Sequence, residues 1–149
     1  MMYPEIILDL YRNPSHKGTV AKADIKARDA NPLCGDVIEI SAKSKDGTII
    51  QLKHAGHGCA ISQAAAELLA QHLEGKSLDD VKHLTKEDVL KMLDIDISPV
   101  RLKCALLALK VIKMAVYEKL GDGMSKAMEL LDDYDTGLPK QQKQDLSDS

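Results

Sequence analysis

The chain has 149 residues, 44% of them hydrophobic, and 20 Lys and Arg against 23 Asp and Glu give a formal charge of -3. That length suits one ordinary domain around one core, and the charge removes the general electrostatic case for a nucleic-acid binder. Phe and Trp are absent and only four Tyr are present, so the core is aliphatic and no aromatic platform for stacking bases is legible.

The opening MMYPEIILDL lacks a basic stretch followed by an apolar run and a small-residue cleavage site, so the expectation is a cytoplasmic protein. Pro4 to Tyr11 reads as a short amphipathic helix with Ile6, Ile7 and Leu10 apolar, broken by Asn13-Pro14-Ser15-His16-Lys17-Gly18. Three segments then alternate or run in β-branched residues: Val20 to Arg28, Val37 to Lys45 and Thr48 to Ala55. Asp46-Gly47 between the last two is a strong hairpin signal, and together they predict a small antiparallel meander. After Gly56-His57-Gly58 the period changes. Cys59 to Gly75 is rich in Ala, Leu and Gln and stops at a glycine, as a helix does. Ser77 opens a short helix, Thr85 with Asp88 resembles a capping box for another reaching Leu93, and Ser98-Pro99 supplies cap and first-turn proline for a long helix to Leu120. That last segment is long enough to cross a bilayer, but Lys103, Lys110, Lys113 and Lys119 argue against a span. A final helix is expected over Met124 to Asp133, and residues 137–149 form a flexible polar tail beyond a single domain of residues 1–136. Strands followed by helices predict an α+β fold: a small three-stranded antiparallel sheet with helices packed on one face.

The chemistry concentrates at three cysteines. A reducing compartment keeps them as thiols, so they read as buried hydrophobes, ligands or nucleophiles. In Asn31-Pro32-Leu33-Cys34-Gly35-Asp36 the last two side-chain donors stand two residues apart, which places Cys34 and Asp36 on one side of an extended segment; a surface turn with a half-buried cysteine is the alternative. Gly56-His57-Gly58-Cys59 sits at a strand-to-helix junction, where backbone amides and the helix dipole favour a thiolate, although a tight turn alone explains the glycines. Cys104 lies five residues into the long helix on an apolar stripe with Leu107 and Val111, so it is either a small core residue or a donor at the core's edge. No Cys-x-x-Cys pair is present, which excludes zinc ribbons, zinc fingers and thioredoxin-type sites by spacing. His57 is the one histidine close to a cysteine; His54, His72 and His83 are expected on strand and helix surfaces.

These blocks together resemble the IscU/SufU/NifU N-terminal family of iron-sulfur assembly proteins. Leu10 to Pro14 is similar to its N-terminal helix and loop, and NPLCGD at Asn31 to Asp36, GHGCAIS at Gly56 to Ser62 and PVRLKCA at Pro99 to Ala105 to its three ligand motifs in order. The resemblance runs from about Tyr3 to Lys119. It implies a SufE/IscU-like fold and a non-enzymatic scaffold that builds a transient [2Fe-2S] cluster. A site of Cys34, Asp36, Cys59 and Cys104 would hold this cluster, or alternatively Zn2+. It further implies Cys104 as acceptor of persulfide sulfur from a cysteine desulfurase of the IscS/SufS kind. Apo iron-sulfur proteins would be the recipients, and a homo-oligomer is compatible; no nucleic acid or membrane partner is implied. Two departures stand out. Lys103 replaces the histidine that usually precedes the last cysteine; an ammonium there either favours the Cys104 thiolate, or is an ordinary solvated helix lysine or the partner of Asp36 in an ion pair. The Gly-x-Gly-Cys-x-Ile-Ser block is similar to the SufU branch, which admits a zinc-dependent sulfurtransferase as the alternative function, yet the insertion usual in that branch is absent.

Overall fold

A computed structural model describes residues 4–31 and 35–121. The elements run α1 (Glu5–Arg12), β1 (Ile25–Asn31), β2 (Asp36–Lys45), β3 (Thr48–His57), α2 (Ala60–Leu73), α3 (Leu78–His83), α4 (Lys86–Leu93) and α5 (Pro99–Leu120). The sheet is a three-stranded antiparallel meander in the order β1-β2-β3, and the α+β class holds. Helices α2 and α5 lie against each other and cover the sheet, α5 on β1 and β2 and α2 on β3, while α1 rests on α2 and α3 and α4 rest on α5. The expected helix at Met124 to Asp133 and the tail lie outside the described residues.

Alternation explains most of the core. Ile38, Ile40 and Ala42 of β2 face inward beside Ile25 of β1 and Leu52 of β3, against Ala64, Ala65, Leu69, Leu106, Leu109 and Ile112 of the two long helices. The register shifts between Lys43 and Ser44, which pair with Gln51 and Ile49, so Ile50 is an extra residue. This bulge turns Ile50 outward, 49% exposed, and lets both Ile49 and Leu52 reach the core.

The strand expected at Val20 begins instead at Ile25. Lys22 adopts a left-handed φ of 57°, which ends any extended run, and Val20 is buried through a loop whose amide donates to Ser41 Oγ at 2.9 Å. Both Ser77 and Thr85 close full capping boxes, with Asp80 and Asp88 respectively. Ser98 differs: it is the N-cap of α5, yet its hydroxyl caps nothing, and Pro99 at the first helical position marks the start. Among the described residues no helix is long and apolar enough to cross a membrane.

Candidate metal centre

The sheet's register fixes the first donor. Asn31 pairs with Asp36 across β1 and β2, and Val37 pairs with His57 across β2 and β3, so the start of β2 and the end of β3 lie at the same end of the sheet. Cys59 is the N-cap of α2 immediately beyond, and its side chain makes no capping hydrogen bond, which leaves the thiol available. Cys104, in the second turn of α5, arrives at the same place from the helical layer. One carboxylate oxygen of Asp36 and the sulfurs of Cys59 and Cys104 all lie within 4.8 Å of one another.

Burial makes this trio chemically distinctive. Asp36 and Cys104 are at 0% exposure, and Cys59 is partly exposed. The Cys59 amide donates to Asp36 Oδ1 at 2.9 Å, but buried Oδ2 has no partner among the described residues. A buried polar atom left without a partner costs about 1–3 kcal/mol, more when charged, and a cation held between the carboxylate and two thiolates would supply the missing partner. Gly58 is required beside it. A Cβ there would strike Asp36 Oδ1 and come within 2.7 Å of Ser62 Oγ. Gly56, at φ +121°, is held equally tightly against the Val37 carbonyl.

Of the residues singled out in the sequence, Asp36, Cys59 and Cys104 are thus brought together, while Cys34 lies outside the described residues. Lys103 is partly buried next to Cys104 and makes no ion pair with Asp36. His57 is exposed and stands outside the trio.

His54, expected on a strand surface, is instead 1% exposed. Its Nε2 lies 3.0 Å from Glu67 Oε1, and Glu67, at 0% exposure, also takes the His16 amide at 3.0 Å, Ser15 Oγ at 2.9 Å and Gln71 Nε2 at 2.7 Å, with His16 Nδ1 at 3.0 Å. Burial works to raise the pKa of Glu67, yet the hydrogen bonds from His54, Gln71 and His16 prevail and hold it at about 2. Burial lowers the pKa of His54, against the pull of Glu67, so its imidazole is neutral and donates through Nε2. The sequence carried one clue to this cluster: Glu67 interrupts an otherwise apolar run of α2.

A fold-assembled set of two thiols and a carboxylate, drawn from three distant segments at one end of an α+β sheet, defines a metal-capable scaffold rather than a zinc-finger type of site. The chain belongs to the family of the NifU-like N terminal domain, whose model matches residues 2–122. It is 33% identical over 132 residues to the iron-sulfur cluster assembly scaffold protein IscU of Thermotoga maritima, covering 78% of this chain and 93% of that one. It is 32% identical over 138 residues to the zinc-dependent sulfurtransferase SufU of Bacillus subtilis, covering 80% and 92%. Its fold matches the crystal structure of a protein described as an iron-sulfur cluster assembly scaffold for the SUF system of Fervidobacterium islandicum, with a TM-score of 0.68, 25% identity and coverage of 76% and 96%.

Proposed function

We propose that this chain is a scaffold for de novo iron-sulfur cluster assembly. It takes sulfur from a cysteine desulfurase, holds a transient [2Fe-2S] cluster as cargo on Cys34, Asp36, Cys59 and Cys104, and passes it to apo iron-sulfur proteins in the cytoplasm. The observation that carries this reading is the unpartnered, buried Asp36 Oδ2 beside two thiols: soft sulfur donors suit iron and zinc, while one hard oxygen donor provides a weak point at which cargo can leave. In the sulfur step the Cys104 thiolate attacks the outer sulfur of the desulfurase persulfide. A new S–S bond forms on Cys104, the old one breaks, and the desulfurase cysteine leaves as a thiolate. Two electrons from an external thiol or redox protein then convert that sulfur to sulfide. Lys103, adjacent in sequence, favours the attacking thiolate. Cys104 is buried, so the step requires its thiol to become accessible.

Similarity to the zinc-dependent sulfurtransferase supports a second reading, in which the same donors hold zinc and the chain relays persulfide without building a cluster. Anaerobic reconstitution with iron, cysteine and a desulfurase separates the two. A brown, oxygen-sensitive protein that loses its colour in each of the three Cys→Ser variants supports the scaffold. Tight zinc with no cluster under those conditions supports sulfur transfer.

A further inference from the structure

The structure assigns Lys17 as a positioning residue for this metal centre, acting from outside it through a chain of hydrogen bonds that ends on the Cys59 peptide. The inference rests on the proposed function only in taking Cys59 as a donor to the cargo.

Residues 16–18 lie beside β3 as a short parallel addition. The His54 amide donates to the His16 carbonyl at 2.9 Å and the Gly18 amide to the His54 carbonyl at 2.8 Å, with Lys17 bridged to His54. The buried Glu67 carboxylate takes the His16 amide and faces its ring, so the backbone on which Lys17 stands is fixed from two sides. From there the Lys17 ammonium donates to Gln63 Oε1 at 2.9 Å and to the Gly56 carbonyl at 3.3 Å. The Gln63 amide donates onward to Ser62 Oγ at 3.4 Å, and the Ser62 hydroxyl donates to the Cys59 carbonyl at 3.0 Å. The Cys59 amide in turn holds Asp36.

Lys17 therefore grips both ends of the Gly56 to Cys59 turn: its strand end at Gly56 and its helix end through Gln63 and Ser62. That grip matters because Gly56 and Gly58 have positive φ and no side chain to anchor them. Groups that orient metal ligands at one remove commonly alter metal affinity by about 10–100-fold, and Lys17, which acts from further out through Gln63 and Ser62, is placed at the low end of that range. Lys17 is exposed overall, so removing its ammonium perturbs this turn far more than the core.

The test uses full-length protein with Zn2+, measured by competition with a chromophoric chelator, and Co2+, whose visible bands report donor geometry. Lys17→Met is expected to weaken Zn2+ binding about tenfold, to shift the Co2+ bands and to speed exchange of the Cys59 amide, with thermal unfolding nearly unchanged. Lys17→Arg is expected to restore all three. Gln63→Leu breaks the chain one link further on, and the double variant is expected to be no worse than the weaker single one. Zn2+ affinity within twofold of the parent in Lys17→Met overturns the assignment, as does a loss that Lys17→Arg fails to restore and that tracks a fall in thermal stability. If the parent itself binds Zn2+ independently of Cys59 and Cys104, the proposed function falls together with it. Parent binding that needs both cysteines but ignores Lys17 removes only the role of Lys17.

Discussion

Glu67→Gln is nearly isosteric and removes one charge from the most heavily hydrogen-bonded side chain described. The amide keeps one oxygen, which can still take the His16 amide and His54 Nε2 at the Oε1 position. Its NH2 must then occupy the Oε2 position, facing Ser15 Oγ, His16 Nδ1 and Gln71 Nε2. Ser15 can rotate and Gln71 can flip to accept, so the expected loss comes mainly from charge assistance on the bonds that survive, about 1 kcal/mol each. Linkage provides a separate figure. Glu67 falls from 4.5 to about 2 on folding, and at ~1.36 kcal/mol per pH unit this corresponds to about 3 kcal/mol. A depressed carboxyl contributes fully above its unfolded value of 4.5 and loses that contribution as pH falls toward 2. His54 adds in the same direction: its pKa is lowered from 6.5, so the unfolded chain binds the proton more readily and stability declines as pH falls below 6.5. Urea unfolding of metal-free protein followed by circular dichroism is therefore expected to show Glu67→Gln about 3 kcal/mol less stable at pH 7. Between pH 5 and 3 its stability should fall less steeply than the parent's. A variant within 1 kcal/mol of the parent at pH 7, with the same acid slope, would refute the reasoning.

Asp36→Ala is expected to retain cluster through the thiolates yet transfer it to an apo-ferredoxin more slowly, because the labile oxygen donor is gone; transfer at the parent rate or faster sinks the labile-donor idea. Gly58→Ala drives a Cβ into Asp36 Oδ1 and close to Ser62 Oγ, an overpacking of about 1–3 kcal/mol, so Zn2+ affinity should drop at least tenfold by chelator competition, and an unchanged value would show that the turn yields freely. Lys103→Ala is expected to slow alkylation of Cys104 in metal-free protein near neutral pH, measured by mass spectrometry; an unchanged rate across pH removes Lys103 from the sulfur step.

Local signals carried most of the fold. Asp46-Gly47 placed the hairpin, Thr85 with Asp88 and Pro99 placed two helix starts, and all of these act over four residues or fewer. The start of β1 was not legible at Val20, because Lys22 takes a left-handed conformation that propensity does not specify, and because burial of Val20 comes from contact with Ser41. Asp36, Cys59 and Cys104 were recognisable as motifs, but spacing alone could not bring them to one point; the pairing of β2 with β3 and the seating of α5 did that. The His16, His54 and Glu67 cluster was missed for the same reason. Its members lie on a loop, a strand and a helix, and only the fold makes them neighbours.

Asp36, Cys59 and Cys104 also impose an order in time. A growing chain delivers the start of β2 first, the start of α2 next and α5 last, and folding tends to proceed from the N-terminal side during synthesis. The carboxylate and the first thiol can meet once the meander and α2 have closed, but Cys104 joins them only when α5 has settled across the sheet. A chain broken off before α5 lacks that thiol altogether. Because capture of metal is coupled to the folded arrangement of its donors, a molecule without α5 is expected to hold metal poorly. The complete trio is thereby expected only in copies whose α5 has been made and seated.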